Sequence, residues 1–361
     1  MKIGILTLPL YTNYGGILQA YALQVVLKRL GHDARLIVCG QMRPGLYGKI
    51  RHHLSPIKMK IQECIVPDSF SKDLCQHTRR FIHKWISQDY FVSIDSISRN
   101  QYDAIVVGSD QIWRKKYVES SSYSKIENCF LDFAKDWNIK RISYAASFGT
   151  DEWEYSESLT KKCSELIQLF DAVSVREKAG VELCHKYLNH EAIHLLDPTM
   201  LLTKEDYRKL VRKRIMQRHG IMTYILDEDE KKSSIIRKVQ TSTGMEVFKS
   251  NVSYNHIGAA KSRIAQPPVE HWIQAFDDAD FIITDSFHAC VFSILFNKPF
   301  IVIPNMERGA SRFHSLLETF HQEHRIVGND FELSDNILAN PNCDIASYRD
   351  VSINFLQSNL Q

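Results

Sequence analysis

Short runs of aliphatic residues recur along this chain, and each stops abruptly at a cluster of polar residues. Ala104–Val107 ends in Gly108-Ser109-Asp110, Ile142–Ala146 in Ser147-Phe148-Gly149, and Ala172–Val175 in Arg176-Glu177. Runs this short, interrupted only by Ser143 and Ser174, suit strands buried on both faces, and such strands belong to parallel sheets covered by helices. Ligands of open α/β sheets bind beyond the carboxyl ends of the strands, where these polar clusters fall. The pattern therefore constrains the fold and the place of its chemistry together.

The start of the chain repeats the pattern in fuller form. Lys2–Leu8 is apolar, Tyr11–Gly16 is turn-forming, and Ile17–Leu30 carries apolar residues at helical spacing up to Gly31, a C-terminal cap. Ala34–Val38 is the next strand. Strand, glycine loop, helix and strand open a doubly wound sheet. Ile193–Leu196, before Asp197-Pro198-Thr199, reads as a strand leaving the first domain. A polar helix from Lys204 to Arg218 leads to a second series of strands: Tyr224–Leu226, Glu246–Phe248, Phe281–Ile283 and Phe300–Ile303. Val269–Ala279 and Ala289–Phe296 are expected helices between them. With 361 residues there is room for two domains. The expectation is an α/β protein with two Rossmann-like domains facing across a cleft. The first spans 1–204, with a helical insertion at about 41–100, and the second spans 205–340. A terminal helix, 341–361, packs back on the first.

Composition narrows the partners. The net charge of +3 creates no global field for nucleic acid, and none is expected. The basic runs Arg208–Arg218 and Lys231-Lys232 read as solvated helix faces. No apolar stretch approaches the ~20 residues that span a bilayer, and the first residues lack a signal-peptide cleavage pattern. The eight cysteines (Cys39, Cys64, Cys75, Cys129, Cys163, Cys184, Cys290 and Cys343) form no C-x-x-C pair and no zinc-spaced cluster. They read as reduced thiols of a cytoplasmic protein, with neither a metal nor another cofactor expected.

The sharpest chemical segment is Thr284-Asp285-Ser286-Phe287-His288-Ala289-Cys290, where a buried strand turns into a helix. Asp285 and His288 stand one helical turn apart, at an end that offers unpaired N–H groups to an anion. A histidine there can move a proton near neutral pH. Locally, an equal reading is that Asp285 or Ser286 caps the helix and His288 makes a structural hydrogen bond. In Gly108–Trp113, Asp110 can take a proton from a sugar hydroxyl, Gln111 can bond another, and Trp113 can stack on the ring. Taken alone, this segment reads more simply as a capped helix start with Trp113 in the core. The loop Asn13-Tyr14-Gly15-Gly16 lets backbone amides approach a ligand, but has neither a Walker lysine nor the full dinucleotide glycine spacing. Arg176, Arg308 and Arg312 follow strands of the two domains, and guanidinium groups suit phosphate and carboxylate.

Together these segments resemble the polysaccharide pyruvyl transferase family. The matching stretches are Ile5–Leu23, Gly108–Trp113, Tyr144–Gly149, Ser174–Glu177, Asp197–Thr199 and Ala279–Phe300, in the family's order over nearly the whole chain. The resemblance implies a GT-B-like fold and transfer of a pyruvyl group from phosphoenolpyruvate onto sugar hydroxyls, commonly as a cyclic ketal. The acceptor is a surface polysaccharide of the cell envelope, exopolysaccharide or capsule, or its lipid-linked precursor. It implies peripheral association with the inner face of the membrane through that acceptor. His288 falls on the family's second-domain histidine, a general acid or base, with Asp110 as the base toward the acceptor. Arg176 falls on the arginine expected to hold the donor, joined by Arg308, Arg312, Ser286 and Asp285. Asn13, Tyr14, Gly15, Gly16, Gln111, Trp113 and Ser147 form the acceptor side.

Many members carry an arginine two residues before the histidine, where this chain has Ser286. Arg308 and Arg312 are the candidate replacements, or else the donor differs. The competing reading is a glycosyltransferase of the same architecture taking a nucleotide sugar, with Glu307 as the ribose-binding carboxylate. A scaffold that binds polysaccharide without catalysis is the third.

Overall fold

The computed structural model describes residues 1–40, 74–123, 125–251, 265–305, 309–328 and 330–361. Two parallel sheets organise them. The first contains β1 (Lys2–Leu6), β2 (Asp33–Cys39), β3 (Gln88–Phe91), β4 (Ala104–Val107), β5 (Lys140–Ala146), β6 (Ala172–Val175) and β7 (Ile193–His194), in the order β3-β2-β1-β4-β5-β6-β7. The second contains β8 (Ile221–Tyr224), β9 (Val247–Lys249), β10 (Phe281–Thr284) and β11 (Phe300–Val302), in the order β11-β10-β8-β9. With the structural neighbours reported below, this is the GT-B-like pairing of two Rossmann-like α/β units.

The helices that matter to the site follow from local sequence. Helix α1 (Tyr14–Arg29) starts where Asn13 accepts a hydrogen bond from the Gly15 N–H, and carries Lys28 and Arg29 in its last turn, as the helix dipole favours. Helices α2 (Gln76–Trp85), α3 (Glu157–Ile167) and α4 (Lys178–Leu188) cover the first sheet. Helices α5 (Glu230–Thr243), α6 (Val269–Asp278), α7 (Phe287–Leu295) and α8 (Ser311–Thr319) belong to the second. The last helix, α9 (Ile345–Asn359), lies on first-sheet residues. Ser352 accepts from the Leu196 N–H, Arg349 donates to the Met200 and Leu202 carbonyls, and Phe355 packs on Tyr144.

Four expectations need correction. Helix α1 begins at Tyr14, inside the stretch read as turn-forming, and β8 is Ile221–Tyr224 in place of the expected Tyr224–Leu226. The helix read over Lys204–Arg218 is only Lys204–Arg208. Like charges one turn apart (Arg208 and Arg212, Lys209 and Lys213, Arg214 and Arg218) oppose its continuation. Arg208 and Arg214 instead pair with Asp277, and Arg214 also with Asp278, at the end of α6. Lys232, read as solvated, is buried, with its ammonium 2.9 Å from Asp285 and bonded to the Asp227 carbonyl. The described part of the insertion holds α2 and the edge strand β3; residues 41–73 lie outside the described residues. Cys64 lies there too, and the seven described cysteines are free, six of them buried. Among the described residues no helix is long and apolar enough to cross a membrane.

One large apolar core runs through both sheets, from Ile3 and Ile5 of β1, past Leu195 and Tyr207, to Ile282 and Phe300. Smaller clusters back the far face of each sheet. Near the middle, Phe292 touches Tyr207 and Trp272, each at 4.8 Å between ring centres, and Phe276 at 5.5 Å. Removing that ring should cost about 3–5 kcal/mol. In urea, Phe292→Ala should lower the midpoint of unfolding. Because the core is shared, fluorescence and circular dichroism should follow one coincident transition in both wild type and variant.

Candidate active site

Both sheets reverse strand order once, the first between β1 and β4 and the second between β8 and β10. A reversal opens a crevice at the carboxyl ends of the two strands, because their following segments leave to opposite faces. The two crevices meet in one cavity of about 370 Å³, within the usual range of small-molecule sites, about 300–1,000 Å³. Thr12 and Asn13 line it from beyond β1, and Asp110, Gln111 and Tyr117 from beyond β4. Tyr224 and Leu226 enter from β8, Asn251 from β9, and Ser286, Phe287 and His288 from β10 and the start of α7. Asp285, Gln266 and Arg312 complete the lining. Helices α1 and α7 both begin here, so their N-terminal partial charges face the same space.

His288 crosses from the second sheet to the first. Its ring lies so close to Gly15 that a Cβ there would stand 2.1 Å from Cγ and Nδ1. Only glycine leaves room for the imidazole. Gly309 makes a similar approach, where a Cβ would stand 1.6 Å from the Gly149 carbonyl oxygen, and its φ of +93° also favours glycine. The His288 Nε2 is buried 3.5 Å from Asp197 Oδ2, an ion-pair distance rather than a formed hydrogen bond.

Asp197 is the hub of the site. Its Oδ2 accepts a 2.7 Å hydrogen bond from the Arg176 guanidinium, and its Oδ1 accepts from the Thr199 N–H and hydroxyl. Burial pushes its carboxyl up, but His288 and then Arg176 more than offset this and hold it well below the usual carboxylate range. Burial likewise disfavours the charge on Arg176, and Asp197, Asp110 and Glu177 together keep it charged. Arg176 lies 3.6 Å from Asp110 and 4.6 Å from the centre of the Phe287 ring. Arg312 lies 5.4 Å from the same ring. Burial, and then repulsion from Arg176, push Arg312 down to about 10, so it stays cationic at neutral pH.

The expected residues separate into distinct places. His288, Asp110, Arg312, Ser286, Asn13 and Gln111 line the cavity together. Arg176 sits behind them, buried with its two carboxylates. Asp285 lines the wall, but its carboxylate accepts from the Leu226 and Asp227 N–H groups and from Lys232. It ties β10 to the segment after β8. Gly15 and Gly16 bring the backbone of α1 against His288 and Asp110 respectively. The Tyr14 hydroxyl donates to the Pro267 carbonyl, closing one sheet's segment on the other's. Ser147 is buried and donates to Glu177. Trp113 is fully buried, stacked on Phe130 at 4.8 Å, with its indole N–H on the Cys129 carbonyl. It has no face toward the cavity, as the simpler reading of its segment had it. Arg308 and Glu307 lie outside the described residues. Sequence reasoning did not single out Asp197, Tyr117, Tyr224, Asn251 or Gln266; of these only Asp197, within its Asp-Pro-Thr stretch, gave a signal. Among the described residues, no group of three or more His, Cys, Asp or Glu side chains could hold a metal ion.

Two Rossmann-like units with one site between their facing carboxyl edges define a GT-B-like enzyme. The sequence model of the polysaccharide pyruvyl transferase family matches residues 13–307, and the chain belongs to that family of transferases. No curated protein matches the sequence. Among solved structures, a Listeria monocytogenes protein described as a UDP-N-acetylglucosamine 2-epimerase is similar in fold. It has a TM-score of 0.53 and 11% identity, covering 99% of this chain and 95% of that one. A Staphylococcus aureus MnaA–UDP complex gives a TM-score of 0.49 at 12% identity, covering 100% and 97%. UDP-GlcNAc 2-epimerase from Neisseria meningitidis bound to UDP-GlcNAc gives 0.46 at 10%, covering 100% and 99%.

The depressed carboxyl of Asp197 has a pH consequence. Its folded value lies below its ordinary 3.8, so the ionised form stabilises the protein above that value. The contribution is lost as pH falls from there toward the lowered folded value. Asp197→Asn, which leaves Arg176 buried without its strongest partner, should cost about 3–5 kcal/mol at pH 7. Measured by urea unfolding, the gap to wild type should narrow below about pH 4.

Proposed function

We propose that this protein transfers a pyruvyl group from phosphoenolpyruvate to hydroxyls of a sugar in a surface polysaccharide or its lipid-linked precursor. The observation that carries the reading is the convergence of His288, Asp110 and Arg312, from both sheets, on one cavity. It supplies a proton donor, a carboxylate and an anion-binding cation. Arg312 provides the positive charge that Ser286 does not. An anionic donor between the starts of α1 and α7 would also relieve the repulsion between Arg312 and Arg176.

In this reading His288, oriented by Asp197, gives a proton to the methylene carbon of the enol as one sugar hydroxyl attacks C2. Asp110 takes that hydroxyl's proton. The C2–O bond to phosphate then breaks, and the electron pair leaves with phosphate beside Arg312, phosphate taking the proton held by Asp110. A second hydroxyl closes the ketal and returns a proton to His288. Arg176 acts indirectly, by holding Asp197 and Asp110 in place.

Phosphoenolpyruvate should raise the melting temperature of the purified protein, as any ligand of the native state does by mass action, and a sugar nucleotide should not. Stabilisation by a sugar nucleotide alone would instead support the nucleotide-sugar transferase reading. His288→Ala should fold and lose phosphate release from phosphoenolpyruvate by at least about a hundredfold. An active, folded His288→Ala protein would sink the assignment. Arg312→Met should raise the KM for phosphoenolpyruvate about tenfold or more, the loss expected for a charge-assisted hydrogen bond.

A further inference from the structure

The lining of the cavity holds two kinds of group: His288, Asp110 and Arg312 are ionisable, while Tyr224, Asn251 and Gln266 are neutral hydrogen-bonding side chains. Gln266 is only 2% exposed, and its Oε1 is enclosed with no hydrogen-bond donor among the described residues. A buried acceptor left unpaired is unfavourable, and persists where a ligand supplies the missing donor.

The position of Gln266 is fixed on every side. Its own N–H donates to the Leu74 carbonyl. The carbonyl of the next residue, Pro267, accepts a 2.5 Å bond from the Tyr14 hydroxyl. Pro267 and Pro268 lock two successive φ angles. The side-chain amide thus projects from an anchored backbone. Asn251, also in the lining, donates its Nδ2 to the Ile225 carbonyl at 2.8 Å, so its own carbonyl oxygen is the end available to a ligand.

We propose that Gln266, assisted by Asn251, reads the sugar acceptor by accepting hydrogen bonds from its hydroxyl groups, and so determines which sugar is used. The inference rests on the transfer reaction proposed above. Two amide oxygens repel phosphate and carboxylate and accept from neutral hydroxyls, so they suit the sugar and not the anionic donor. The ring of Tyr224 offers the apolar surface that a sugar's C–H face needs.

The test uses the full-length protein, phosphoenolpyruvate, and a panel of p-nitrophenyl hexosides and N-acetylhexosaminides with their monodeoxy analogues. Gln266→Leu should raise the KM for the best acceptor about tenfold or more, with the KM for phosphoenolpyruvate unchanged. For one monodeoxy analogue, wild type and variant should be equally poor, because the hydroxyl that Gln266 reads is already missing. Gln266→Glu, which keeps an acceptor at that place, should retain most acceptor binding if Gln266→Leu folds poorly. An unchanged acceptor KM in both variants would overturn the role of Gln266 while leaving the transfer reaction intact. Wild-type protein that releases no phosphate with any acceptor would overturn the reaction itself. Sugar-induced thermal stabilisation, lost in Gln266→Leu, would then still support the sugar-reading role on its own.

Discussion

The carboxylate of Asp197 is where the two halves of this molecule come to terms electrostatically. It is buried beyond β7 of the first sheet, bonded to Arg176 and facing His288 from the second. A buried charge without a partner is far less favourable than one bonded to another, so none of the three can be placed independently. Arg176 also lies over Phe287, the first residue of α7, and reaches toward Asp110 beyond β4. The rotation of α7, the position of His288 and the carboxyl edge of the first sheet are therefore set by one charge cluster. The shared apolar core supplies adhesion between the sheets, and the cluster supplies their alignment.

Most of the architecture could be read from the chain because buried parallel strands and their polar ends are local signals. The strands at Lys2, Ala104, Ile142, Ala172, Phe281 and Phe300 stand where the aliphatic runs fall, and the helix at Val269 where the apolar spacing puts it, while the first helix starts at Tyr14, three residues before the expected Ile17. The helix over Lys204–Arg218 stops at Arg208 because stacked like charges oppose it and acids on α6 draw its arginines away. Lys232 was misread because the partner that makes its burial tolerable, Asp285, is far along the sequence.

The site was legible residue by residue but not as an arrangement. His288, Asp110 and Arg312 could be named from strand ends and helix starts. Their grouping depends on two strand-order reversals meeting face to face, which no local pattern encodes. Trp113 shows the opposite limit. Its neighbours Asp110 and Gln111 do reach the cavity, while its indole completes an aromatic stack in the core. Gln266 stands just before two prolines, in sequence an unremarked turn, and gains its interest only from what surrounds its amide.

The contact between Gly15 and His288 also bears on how such a chain can change over generations. A side chain at position 15 would occupy the space of the imidazole, so substitution there is barred while the histidine remains. If the histidine were lost, the bar would lift, and the glycine would be free to drift toward the better helix formers that the first turn of α1 otherwise favours. Glycine at this place is thus a record, kept in the opposite half of the molecule, that the histidine is still present. A relative with a bulkier residue there has either moved its halves apart or lost the imidazole.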